Sequence, residues 1–233
     1  MDQPDSGIWD VMLQYDYFGA FWVSIQLTFW AAVFSFVLGT VLAIMRVSPV
    51  GSLRRAATMY VNTVRNLPLT LVILACSLGL WGQLGVVLAS EESSDFISTN
   101  SFRLAVLGLT LYTSCFVCES LRSGINTVPV GQSEAARSIG LGFGQVMGLV
   151  ILPQAIRGAI TPLGNTLVAL AKNTTVAQAA GVVQASSFMI TAIDQNGNMI
   201  FPIFVVVAIG WVAVVLPIGL ITTSLSRRFG VSR

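Results

Sequence analysis

The chain has 233 residues, 55% hydrophobic and 9% charged, with a mean hydropathy of +0.80. Soluble domains carry about 25% charged residues, so this chain cannot cover itself with polar surface, and its solvent is lipid. A net charge of +2 without any basic run argues against nucleic acid as a partner, and the absence of histidine removes the commonest proton shuttle and metal ligand.

The first residues, MDQPDSGIWDVMLQYDYF, carry Asp2, Asp5, Asp10 and Asp16. A signal peptide has a basic start and a short apolar core, and this stretch has neither. Residues 1–17 are expected to be an extracytoplasmic tail leading into an uncleaved first span. Crossing the hydrocarbon core takes about 20 mostly apolar residues. Five stretches are expected to do so: roughly 18–45, 67–89, 102–121, one between 146 and 183, and 199–225. SLRRAATMYVNTVRN is a more polar lead-in to the second, and Pro153, Arg157, Pro162 and Lys172 interrupt the fourth.

The charges alternate along the chain. Arg46, Arg54 and Arg55 lie between the first two spans, Arg122 and Arg137 between the third and fourth, and Arg227, Arg228 and Arg233 after the fifth. The opposite connections hold the acidic start, then Glu91, Glu92 and Asp95, then Asp194. Basic residues mark cytoplasmic loops, which places the N-terminus outside and the C-terminus inside. The longest cytoplasmic connection, about residues 122–153, contains SEAARSIGLGFGQVMGLVILPQAIR. The spacing predicts a short helix over SEAARSI, with Pro129 near its start, Glu134 and Arg137 favourable to its dipole, and Gly140 ending it in a left-handed cap. Ala135 and Ala136 give it a flat surface for close approach by another protein.

This segment resembles the EAA loop of ATP-binding-cassette (ABC) importer permeases, on Glu134, Ala135, Ala136, Gly140, Ile151, Leu152 and Pro153. LTLYTSCFVCESLRSGINTVPVGQ narrows the resemblance to the polar-amino-acid permeases, through Glu119, Arg122, Gly124, Ile125, Val128, Pro129, Gly131 and Gln132. The likeness runs from about residue 19 to 224. It departs at Arg65-Asn66-Leu67-Pro68, where the family often reads R-G-T-P, and at Lys172-Asn173-Thr174-Thr175, where it often reads K-D-T-S. Without an acid at Asn173, Lys172 is less neutralised.

The resemblance implies an all-α integral membrane protein of about five spans, a single permease domain of the type I ABC importer kind, in a bacterial cell membrane. It implies a coupling helix, with Glu134, Ala135, Ala136, Arg137 and Gly140, that docks on a cytoplasmic ABC ATPase dimer. It also implies a second permease subunit, identical or homologous, and an extracytoplasmic solute-binding protein. The chain has no G-x-x-x-x-G-K-[ST] motif and cannot cradle nucleotide phosphates by that device; the resemblance implies that ATP and Mg belong to the ATPase, that this chain binds no cofactor and that it is not an enzyme. Candidates for a translocation path or gate are Arg65, Asn66, Glu119, Arg122, Lys172, Asn173 and Thr174. Glu119 and Arg122, spaced i, i+3, either neutralise each other or gate. Arg65 either lines the path or snorkels at the interface. Spare positive charge leans toward an anionic substrate such as glutamate. The competing reading is an ion-coupled secondary transporter, which needs internal repeats and a self-contained site; no two matching halves are visible.

The remaining signals are read as structural. Cys115 and Cys118 form a CxxC with no second ligand pair and are read as helix packing. Gly39, Gly79, Gly108 and Gly164 are read as close helix contacts, Pro68, Pro162, Pro202 and Pro217 as local kinks or breaks, and Trp22, Trp30, Trp81 and Trp211 as including interface anchors.

Overall fold

A computed structural model describes residues 7–229. Asp2, Asp5 and Arg233, used above as marks of orientation, lie outside the described residues. Regular structure among the described residues is helical: α1 Ile8–Gln14, α2 Tyr17–Val47, α3 Gly51–Val64, α4 Leu69–Leu74, α5 Phe96–Ile125, α6 Val130–Ser138, α7 Phe143–Gln145, α8 Leu152–Gly158, α9 Ile160–Asn173, α10 Ala185–Gln195 and α11 Ile200–Phe229. A π-helical stretch, Ala75–Gln83, continues α4, and another, Val146–Ile151, joins α7 to α8; a 3₁₀ stretch, Thr174–Ala180, continues α9.

Three continuous helices are long and apolar enough to cross a membrane, and two bent pairs bring the number to as many as five. The span count matches the sequence reading; the shapes of two spans do not. The polar lead-in to the second span is itself a helix, α3, and the chain bends by 109° between it and Leu69–Gln83. Pro68 lies in that break, where proline disfavours helical geometry in the residue before it. The fourth span bends by 65° between Phe143–Gly158 and Ile160–Ala180. Pro162 has no amide hydrogen for the carbonyl of Gly158 four residues back, and the chain turns there. Pro162 stands in the first turn after that break, as expected of a kink or break, and Pro202 stands in the first turn of α11, where the missing donor costs little. Pro217 is inside α11. Half of the expected N-terminal tail is the helix α1, with Val11 and Met12 buried.

The chain divides into two compact units. The first comprises Met1–Trp30, Leu69–Leu109 and Ala171–Pro217. Its core gathers Val11, Phe21, Ala185, Phe188, Ile203 and Val207. The Tyr17 ring lies 4.7 Å from Phe21 and 5.3 Å from Phe188, and its hydroxyl donates to the Val206 carbonyl at 3.1 Å. Trp211 packs on Phe21 rather than standing free as an anchor, whereas Trp22 is 59% exposed. The turn after Gly181 is fixed by Gln184, which is fully buried. Its amide donates to the Thr175 carbonyl at 3.1 Å, and its oxygen accepts from Ser24 on α2 at 3.3 Å.

The second unit comprises Ala31–Pro68, Thr110–Leu170 and Ile218–Arg233. Its core holds Leu42, Val61, Leu121 and Ala159, with Cys115 and Cys118 packed among them. Glycines set its closest helix contacts. A β-carbon at Gly39 would lie 2.6 Å from the Val117 Cβ, one at Gly164 2.6 Å from the Thr222 Cβ, and one at Gly124 would overlap the Ala155 carbonyl oxygen. In the first unit a β-carbon at Gly108 would lie 3.1 Å from the Ile73 Cα, a looser but still tight contact. Gly79 faces open space and does not belong with them. Gly124→Ala must push backbone away, so it should destabilise the purified protein by about 1–3 kcal/mol. Gly79→Ala should change stability by less than about 0.5 kcal/mol. Thermal unfolding of both variants in detergent checks the pair.

Candidate functional site

The helix predicted in the long connection is present as α6. Pro129 is its N-cap residue, one place before the first turn. Its C-terminus closes as a Schellman motif: the Gly140 amide donates to the Arg137 carbonyl at 2.9 Å and the Leu141 amide to the Ala136 carbonyl at 3.2 Å. Gly140 has φ +90°, a region that penalises any β-carbon. Gly142, two residues on, caps α7 with an ordinary negative φ.

A helix of nine residues is too short to be stable alone. Ala136 anchors it, 7% exposed, and the Gln154 amide donates to the Gln132 side-chain oxygen at 2.5 Å. The two alanines therefore part company: Ala136 faces its own chain, while Ala135 faces outward with Glu134 and Arg137. Glu134 is the fifth helical residue, beyond the first turn, so the helix dipole does little for it. Arg137 is in the last turn, where a cation is favoured. Val130 is 70% exposed and Ile139 77% exposed, and together they frame the polar residues with apolar surface. Sequence reasoning passed over them; two large aliphatics inside a polar connection were the available signal.

Four more charged groups meet in the same unit. Glu119 on α5 accepts through Oε1 from Arg46 Nη1 at 2.5 Å and Arg65 Nη1 at 3.3 Å, and through Oε2 from Arg122 Nε at 3.3 Å. The expected pair of Glu119 and Arg122 is thus part of a set of four, with Arg46 as its tightest member. Arg46 was read only as a mark of orientation in a loop; it is in the last turn of α2 with its side chain 9% exposed. The side chains of Arg65 and Arg122 are 42% and 46% exposed. Three cations on one anion leave an excess of +2. Asn66 is exposed, and its amide bonds the Asn62 carbonyl at 2.6 Å.

Lys172, Asn173 and Thr174 belong to the first unit. Lys172 is exposed and Asn173 half-buried. Among the described residues Lys172 has no ion pair. Thr174 is fully buried, and its hydroxyl donates to the Ala171 carbonyl at 2.7 Å. That hydroxyl is occupied in closing the end of α9.

Residues 35–231 match the family described as binding-protein-dependent transport system inner membrane component. The glutamate transport system permease protein GluC of Corynebacterium efficiens is 56% identical over 214 residues, covering 92% of this chain and 94% of that protein. GluC of Corynebacterium glutamicum gives the same 56% identity and the same coverage. The probable glutamine ABC transporter permease protein GlnM of Bacillus subtilis is 34% identical over 83% of this chain and 84% of its own length. The crystal structure of an amino acid ABC transporter with histidines matches with a TM-score of 0.78 and 24% identity, over 97% of this chain and 100% of that chain. An inward-facing MetNI methionine ABC transporter matches with a TM-score of 0.72 and 20% identity, over 95% and 98%. These two likenesses establish the fold.

Removing the anion from the four-residue cluster leaves three guanidinium groups facing one another. Glu119→Ala should destabilise by about 1–3 kcal/mol, below the range for fully buried pairs because two of the partners reach solvent. Arg122→Ala should cost about 0–1 kcal/mol. In the background of Arg46→Met, the loss on Glu119→Ala should shrink; a double-mutant cycle by detergent unfolding measures the coupling.

Proposed function

The chain belongs to the inner membrane components of binding-protein-dependent transport systems, and on that premise we propose that it is the permease subunit of an ATP-driven amino acid importer with glutamate as substrate. It is a multi-pass membrane protein of the transporter, not an enzyme. The observation that carries the substrate is the 56% identity, over 92% of this chain, to permeases named for glutamate transport. The unpaired Lys172 and the cationic excess around Glu119 agree with an anionic cargo.

In this reading residues 1–233 are one permease domain, with residues 1–17 outside, the C-terminus inside, and the connection of about 122–153 in the cytoplasm. A second permease completes the pore, a solute-binding protein delivers substrate from outside, and a pair of ABC ATPases holds ATP and Mg. The exposed face of α6 is the ATPase contact. Ala135 permits close approach, Val130 and Ile139 supply buried area, and Glu134 and Arg137 set polar specificity at the rim. ATP binding closes the ATPase pair, draws the two α6 helices together and turns the pore outward; hydrolysis resets it. Arg65, Asn66, Glu119, Arg122, Lys172, Asn173 and Thr174 are the path and gate residues. The ion-coupled alternative has no comparable support.

Proteoliposomes holding this chain with its second permease, ATPase and binding protein should take up labelled glutamate only with internal ATP. Glu134→Lys should cut that uptake by about tenfold or more while every subunit still assembles, a loss equivalent to about 1.4 kcal/mol of coupling. Uptake that persists without ATP, or ignores Glu134→Lys, would return the ion-coupled reading.

A further inference from the structure

The cluster around Glu119 has more cation than it needs, and its contacts are unequal. Arg46 is buried and holds Oε1 at 2.5 Å, which makes it the fixed partner. Arg65 and Arg122 stand farther off, both at 3.3 Å, and each has its side chain more than two-fifths exposed. A guanidinium offers five donors in a fork that suits a carboxylate held by two parallel bonds. Toward Glu119, Arg65 and Arg122 each use a single one. No other side-chain hydrogen bond is made by either among the described residues. Two half-exposed forks with donors to spare, in a chain only 9% charged, are chemically set up for a second carboxylate.

We infer that Arg65 and Arg122 form an exchangeable carboxylate-binding station, which the carboxylate of Glu119 occupies when no anionic substrate is present. This rests on the importer reading and adds the groups that distinguish an acidic amino acid from its neutral amide. The side-chain carboxylate of an arriving acidic amino acid, which glutamine lacks, takes the donors of Arg65 and Arg122, and Glu119 withdraws toward Arg46, which holds it in place. Arg46 is a positioning residue and does not touch substrate. Glu119 competes with substrate, so the station releases its cargo instead of trapping it. Without that competition, two free guanidinium groups would hold a dicarboxylate too tightly for turnover.

A purely structural ion cluster and a competing carboxylate predict opposite signs. Labelled glutamate and labelled glutamine are measured by equilibrium dialysis against the detergent-purified permease–ATPase complex, for wild type, Glu119→Gln and Arg65→Gln. Glu119→Gln should bind glutamate about tenfold more tightly than wild type, and Arg65→Gln about tenfold more weakly, the scale of one charge-assisted hydrogen bond. Glutamine should move by less than about twofold in both. Thermal unfolding is run on each variant; if Glu119→Gln does not fold, Arg65→Gln decides alone. Unchanged glutamate affinity in Arg65→Gln, or an equal shift for glutamine, overturns the station. A folded Glu119→Gln that binds no more tightly than wild type overturns the role given to Glu119. Loss of wild-type glutamate binding on adding phosphatidylglycerol, with no loss on adding phosphatidylcholine, overturns the substrate assignment and gives the site to a lipid phosphate. ATP-dependent uptake by wild-type proteoliposomes is scored separately. Uptake with unshifted variant affinities sinks the station alone, and shifted affinities without ATP-driven uptake sink the importer reading alone.

Discussion

In hydrocarbon no water is present to bond a free amide or carbonyl, so each backbone polar group must find its partner inside the protein. That constraint shapes nearly every irregular feature of this chain. Where a helix stops or bends, a side chain takes up the orphaned group. Asn100, fully buried, accepts from the Leu88 amide at 2.7 Å, and Arg103 bonds the Leu88 carbonyl. Gln184 does the same for Thr175 at the start of the 3₁₀ stretch. Serine and threonine within α2 bond the carbonyl four residues back, as Ser24 does to Ala20 and Thr28 to Ser24, which lets hydroxyl groups sit in apolar spans without an unpaired donor.

The same scarcity of polar groups gives each charge unusual weight. An exposed ion pair in water contributes little; an arginine with its side chain 9% exposed must be matched. The Glu119 carboxylate ties the last turn of α2, the C-cap of α3 and the interior of α5 together through three guanidinium groups. Packing around it is dense on the apolar side, where Leu42, Val61 and Leu121 are buried. Charge and core thus fix the same three helices.

Much of this was legible from residue order. Long uncharged runs gave the continuous spans, and the apolar-to-polar switch after Ile125 gave α6, with Gly140 ending it where a positive φ is required. What escaped were the features set by tertiary neighbours. Arg46 looked like an end-of-span cation because its partner is 73 residues away. Gly79 and Gly108 are alike in sequence, and only the approach of Ile73 separates them. Pro202 reads as a kink or break because a proline's position relative to a helix start cannot be known before the start is. The helix α10 is short and follows a buried Gln184, the reverse of the usual polar surface signal.

The placement of α6 also says how a load applied there is carried. It is fastened to the segment running into α8 by Ala136 and by the bond between Gln132 and Gln154. The next contacts are tighter still: Gly124 on α5 meets the Ala155 backbone of α8, and Gly158 at the end of α8 meets Thr127. Neither leaves room for a methyl group, so α8 cannot slide along α5 without lifting away from it. Glu119 is five residues before Gly124 on the same continuous helix. A displacement of α6 therefore passes through the Gln132–Gln154 bond to α8 and on to α5 at the close Gly124–Ala155 backbone contact, and α5 carries the carboxylate that three arginines hold. Glu119 alone on that helix end makes contact with both α2 and the end of α3 by charge, so a small movement of α5 changes the distances that matter most to Arg65 and Arg122. Both of those are already at 3.3 Å, near the outer limit of a hydrogen bond, where a few tenths of an ångström decide whether the donors face Glu119 or something else.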